Sequence, residues 1–283
     1  MSFIETMVSD MCNLSLDDTV TSSLSNTLSS YNSSVNNTVI TIMRDSVFAV
    51  GATLLTLFML IELIALINRT GGDEQGLGGV KIPANLMIKF AIFAFLFCHI
   101  PVILSGIQEV AANVSSNMIN SAQFNFNVGI SSSQVTQIAT AIDDLDFFDR
   151  IFTYVLILLA WCVVKIVLGI VSLTVIFRMF ELWLMIMFAP IPLSTLASQD
   201  FKQTAINFLK SFTAVSLQGA AIIACFLIYQ ALITSSFVKV YDPSIDISQY
   251  VGTLLINNIM YVTALAISVM GSSRIVKQMM NVV

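Results

Sequence analysis

IFTYVLILLAWCVVKIVLGIVSLTVIFRMFELWLMIMFAPIPLSTLA, residues 151–197, is an almost unbroken apolar run, interrupted by Lys165, Arg178 and Glu181 and closed by Pro190 and Pro192. A bilayer core of roughly 30 Å takes about 20 helical residues. The 47 residues of the run are therefore too many for one perpendicular pass and too few for three. What remains is a bent helix, or a pass followed by a re-entrant segment.

Composition extends this reading to the whole chain. Hydrophobic residues make up 57% and charged residues 10%, with a mean hydropathy of +0.88, well above the roughly 45–50% apolar content of a soluble domain. The expected fold class is an all-α polytopic membrane protein. No basic segment precedes an early apolar stretch, so no signal peptide is expected and the first span directs insertion. Cys12, Cys98, Cys162 and Cys225 are scattered singly, the spacing of neither a disulfide framework nor a metal site.

Residues 47–67, 86–107, 212–233 and 253–271 also have spanning length, which makes about five transmembrane helices plus the re-entrant or bent segment. Basic residues concentrate in cytoplasmic loops. If the N-terminus is outside and the long run crosses once, Arg69, Lys81, Lys89, Lys202, Lys210, Arg274 and Lys277 lie inside, against Arg44, Arg150 and Lys239 outside. Two crossings would reverse that bias, so an external N-terminus and a cytoplasmic C-terminus are expected. The chain then divides into an external amphipathic helix (1–46), two spans with a cytoplasmic loop at 68–85 (47–107), an external helix-strand-helix loop (108–149), and a membrane core with a broken helix at 178–198 (150–283).

The N-terminal segment is rich in Ser, Asn and Thr, the composition of a disordered tail, yet Leu16, Val20, Leu24, Leu28, Tyr31 and Val35 recur at helical spacing. That stripe predicts one long external helix, running into the first span and packing on neighbouring subunits. In the second external region Phe124, Phe126, Val128 and Ile130 alternate with polar residues or glycine, the pattern of a half-buried strand. A single strand needs a partner, so both features point to oligomerisation. Asp143, Asp144, Asp146 and Asp149 lack the turn glycine and spacing of a calcium loop and read as a solvated acidic face.

Charged residues at membrane depth cost several kcal/mol unless they snorkel, pair or meet water. Lys165 either snorkels or lines a pore. Arg178 and Glu181, three residues apart on one helical face, can pair. Pro190 and Pro192 should end the preceding helix at 188 or 189, and irregular backbone in lipid must be buried in protein or face a watery cavity. Gln218 lies beside Ser216, Ala220 and Ala224, a small face for close helix packing. Lys165, Arg178, Glu181, Pro190, Pro192 and Gln218 are thus candidate pore or subunit-contact residues. His99 reads as an interhelical hydrogen-bonding residue, and Glu62 as a partner for Lys89 or an interfacial group. No hydrolase, metalloprotease or phosphate-loop motif is present, so neither an enzyme nor a cofactor is expected.

The segment RMFELWLMIMFAPIPLSTLASQDFKQTAINFLKSFTAVSLQGAAIIACFLIY, 178–229, resembles the TrbL-like polytopic subunits of type IV secretion systems. The resembling features are the R-x-x-E helix, the A-P-I-P turn, the polar loop ending in Lys210-Ser211-Phe212 and the L-Q-G helix. The resemblance implies a ring in the cytoplasmic membrane at the base of a translocation path. It further implies contacts with secretion ATPases inside and other envelope subunits outside, and single-stranded DNA with its relaxase as cargo. Two other functions fit the composition: a small-solute channel or transporter, and a membrane-perturbing holin-like protein. From their unpartnered apolar stripes, the external helix and strand are expected to drive ring formation, and the Pro190 corner is expected to position a cytoplasmic contact with a motor protein.

Overall fold

The computed structural model describes residues 3–12, 18–70, 78–121, 132–236 and 247–282, and among them every regular element is helical. The predicted strand at Phe124, Phe126, Val128 and Ile130, and Leu16, lie outside the described residues. The helices are α1 (Phe3–Cys12), α2 (Asp18–Ser25), α3 (Leu28–Tyr31), α4 (Ser33–Ile42), α5 (Phe48–Thr70), α6 (Gly78–Cys98), α7 (Ile100–Ser121), α8 (Ser132–Asp143), α9 (Phe147–Phe188), α10 (Pro190–Ser194), α11 (Lys202–Ser236) and α12 (Ile247–Met279). Four stretches are long and apolar enough to cross a bilayer: Ser33–Ala65, Phe147–Phe188, Lys202–Leu232 and Tyr250–Met279. Met87–Cys98 and Ile100–Ser121 make a fifth span if the pair, bent by 63°, counts as one.

One sequence expectation is corrected here. The N-terminal stripe does not form one helix. Thr27 accepts a hydrogen bond from the Ser30 N–H, and Asn32 accepts one from the Val35 N–H at 3.1 Å. These side chains cap new helices and so interrupt the old one, the usual competition of Thr and Asn with the helical ladder. Only α4 runs into the first span, through a π turn at Met43–Val47. The second span is likewise not straight: Pro101 has no N–H and crowds the carbonyl four residues back, and the chain bends at His99.

The chain forms two compact units. The first comprises Met1–Ser25, Val114–Phe177 and Gly219–Ser273. Its core aligns Ile157, Ala160, Val164, Val171 and Val175 along α9 with Ile222, Ile223 and Phe226 of α11 and Val262, Leu265 and Val269 of α12. Residues three, four or seven apart, with the adjacent Ile222 and Ile223 both within reach of Phe226, keep each stripe on one face. Met7 and Val8 of α1, Val20 and Leu24 of α2, and Ile138 and Ile142 of α8 close the same cluster.

The second unit comprises Asn26–Asn113, Arg178–Gln218 and Arg274–Val283. Leu28, Met43, Leu55, Phe97, Ile100, Leu104, Met179, Leu182, Ile186, Leu193 and Phe212 form its core. Since lipid tails are as apolar as leucine, burial in the membrane is held by close packing and polar contacts rather than by expulsion of water. Small residues and charge pairs therefore carry much of the specificity of this fold.

Candidate functional site at the proline corner

α9 ends at Phe188, where the two prolines require it to end. Ala189 donates its N–H to Ile186 in a tighter turn of 3.3 Å, and Pro190 opens α10 as its first residue, a position where a missing N–H costs nothing. The hydroxyls that follow serve the carbonyls of this irregular stretch: Ser194 donates to Ile191 O at 2.7 Å and Thr195 to Pro192 O at 2.7 Å. Pro190, Leu193, Ser194, Ala197 and Ser198 are buried, while Pro192 is half-buried. The broken backbone is thus enclosed by protein, the condition for tolerating it at membrane depth.

Two contacts with α5 fix the corner. Gly51 packs against it so closely that a Cβ there would meet Pro190 Cβ at 2.7 Å, Phe97 Cζ at 2.8 Å and Pro190 O at 2.9 Å. Further along α5, the buried carboxylate of Glu62 accepts the Gln199 N–H at 3.1 Å. Eleven residues separate Gly51 from Glu62, roughly 16 Å at 1.5 Å per residue, so 190–199 runs beside α5 in the same chain direction. Phe58 and Phe201, with ring centroids 5.3 Å apart, mark where the chain turns towards α11. Pro190 thus lies near the N-terminal end of the first span, and the loop at 198–201 reaches the Glu62 level. Glu62 itself serves the loop backbone rather than Lys89.

The other candidates divide into charge pairs and buried groups. Lys165 Nζ lies 2.9 Å from Asp10 Oδ2 of α1 and 5.6 Å from the Trp161 ring centre, and the two paired side chains remain 46% and 40% exposed. Lys277 of α12 donates to Glu181 at 3.2 Å, so Glu181 is engaged from another helix. Arg178 is buried, with its guanidinium 3.7 Å from Met179 Sδ, and Gln218 is buried with Ser216 and Ala220 on α11. His99 does not bridge helices through its Nδ1, which bonds the Phe95 carbonyl at 2.8 Å within its own helix. Among the described residues no cluster of His, Cys, Asp and Glu could hold a metal ion. Asp143 is held by the Tyr154 hydroxyl at 2.5 Å.

Of the N-terminal stripe, Val20, Leu24 and Leu28 are buried in this chain's own cores, Tyr31 is half-buried 6.3 Å from Trp183, and Val35 is exposed. The first three are therefore packed within this chain.

Residues 16–190 match the family described as TrbL/VirB6 plasmid conjugal transfer like protein. The chain belongs to this family. The match covers more than half of the chain, from the N-terminal helices through α9 to Pro190, and of the resembling segment 178–229 it takes in the R-x-x-E helix and the start of the corner. No curated protein matches the chain. With its four or more apolar helices, this TrbL/VirB6-like protein is a multi-pass membrane component of a conjugal transfer system. Sequence reasoning missed Gly51, Asp10 and Lys277. Only the small cluster Ala49, Gly51, Ala52 in the first span signalled a close helix contact.

Proposed function

We propose that this TrbL/VirB6-like protein is a non-enzymatic channel and scaffold subunit, assembled as a ring in the cytoplasmic membrane at the base of the translocation path. The observation that carries the reading is the Asp10–Lys165 pair. Both partners are nearly half exposed on a 42-residue apolar helix and the α1 beside it. A charge pair facing hydrocarbon is costly, whereas one facing a watery lumen or an adjoining subunit is not. The Glu181–Lys277 pair, about a third exposed, supports the same arrangement.

On the orientation favoured by the charge bias, the loop at 198–201 and the start of α11, with Lys202 and Lys210, face the cytoplasm, where the secretion ATPases would dock. The Pro190 corner then acts as the strut that holds this loop against α5. Other envelope subunits would contact the external helices, including the exposed Val35, and the cargo would be single-stranded DNA with its relaxase. The net charge of −5 suits a conduit that releases a polyanion rather than retaining it.

The test combines particle symmetry with accessibility. Electron microscopy of the detergent-solubilised protein should show a closed ring. With the native cysteines replaced, Lys165→Cys in membranes should react with a water-soluble thiol reagent or cross-link between subunits, while Leu173→Cys, 66% exposed as leucine, should stay unreactive in lipid. A monomeric particle in which position 165 is as inert as 173 would refute the proposal.

A further inference from the structure

The apolar stretch on α7 ends at Ile107, and the next two residues, Gln108 and Glu109, stand on the wall of a cavity of about 270 Å³ in the second unit. The side of α7 nearer the bend contributes Ser105, while Thr27, Ser29 and Asn36 face it from the N-terminal helices. Gln108 is only 8% exposed, and its Nε2 has no hydrogen-bond partner among the described residues. A buried amide donor left in that state calls for an acceptor that those residues do not supply.

Three other wall residues ask for the opposite partner. Glu109 presents an exposed carboxylate. Ser105 donates its proton to Val102 O at 2.9 Å, which leaves its oxygen to accept, and Thr27 Oγ1 already accepts from Ser30 N–H. Among the described residues that line the cavity, none is basic and none is aromatic. An anionic headgroup would find no counter-charge there, and a quaternary ammonium would find no ring to lie on. The complementary ligand carries an acceptor beside a primary ammonium.

Position narrows the source. The residues that follow directly on an apolar run lie at headgroup depth. Val102, 65% exposed on the same face of α7 as Ser105 and Glu109 and on the side of the apolar run, offers surface for an acyl chain. We propose that this cavity binds the headgroup of an amine-bearing phospholipid, with the phosphate on Gln108 Nε2 and the ammonium on Glu109 and Ser105 Oγ.

The experiment is native mass spectrometry of the full-length protein in detergent, titrated with phosphatidylethanolamine, phosphatidylglycerol and phosphatidylcholine of matched acyl chains. One charge-assisted hydrogen bond corresponds to about tenfold in affinity, so ethanolamine lipid should bind about tenfold better than either other lipid. Glu109→Gln, at an exposed position that leaves the fold intact, should abolish that preference. Gln108→Leu should weaken ethanolamine-lipid binding. Equal binding of the three lipids, or a preference unchanged by Glu109→Gln, overturns the proposal. A photo-cross-linker placed at Ser105 in cells gives an independent readout: label on lipid supports it, and label on a polypeptide shows instead that a protein segment fills the cavity.

Discussion

Adding one methyl group at Gly51 tests whether the proline corner is seated on the first span. In Gly51→Ala the new carbon falls 2.7 Å from Pro190 Cβ and 2.9 Å from Pro190 O. Neither atom belongs to a flexible side-chain end, so the corner or the helix must move. Overpacking of this kind costs about 1–3 kcal/mol, while alanine in a helix interior recovers about 1 kcal/mol over glycine. The net loss is therefore up to about 2 kcal/mol. Gly106→Ala is the internal reference, because nothing lies within 4 Å of a Cβ at that position. Both variants gain the same helix propensity, so their difference isolates the clash at about 1–3 kcal/mol. The assay is unfolding of the full-length protein in detergent, followed by conjugation frequency in cells carrying each variant. Gly51→Ala should unfold first and transfer least, and Gly51→Leu should be worse in both. A Gly51→Ala protein as stable as Gly106→Ala would refute the seating of Pro190 on α5 and, with it, the role of the corner as a strut.

Glu62→Ala should lose about 1–3 kcal/mol by leaving the Gln199 N–H without its carboxylate, and Glu62→Gln, which keeps an acceptor oxygen, should recover most of it in the same unfolding assay. Reversing one member of the Asp10–Lys165 pair places like charges 2.9 Å apart. Asp10→Lys alone should therefore reduce transfer, and the double exchange Asp10→Lys with Lys165→Asp should restore it; failure of the exchange to rescue would mean that the pair is incidental. Pro101→Ala returns an N–H to the helical ladder, so spin labels on α6 and α7 should move apart as the 63° bend opens, and an unchanged separation would show that packing rather than proline sets the bend.

The parts of this fold that could be read from the chain are those in which one short segment carries its own instruction. The apolar count of 151–197 and the proline pair located the end of α9, because a missing N–H acts on the residues immediately before it. The helical period of the N-terminal stripe was also legible: Val20, Leu24 and Leu28 are buried as that period requires. Its division at Thr27 and Asn32 was not, because a Thr or Asn reads equally as a poor helix residue or as a cap until the next N–H is seen to turn towards it.

What the sequence withheld were partners far along the chain. Glu62 and Gln199 are 137 residues apart, and Lys277 and Glu181 are 96 apart. Hydropathy selects the segments that enter the bilayer but says nothing about which of their faces meet, since lipid and leucine are interchangeable neighbours. Charges are not interchangeable with lipid. Lys165 has a counter-ion on α1, yet the pair remains nearly half exposed among the described residues. A salt bridge settles the charge balance but leaves that exposed surface to be hydrated or covered. On the proposed function, water in a lumen or a neighbouring subunit meets that surface, which is why the Asp10–Lys165 pair is the place to test for assembly of the TrbL/VirB6-like protein.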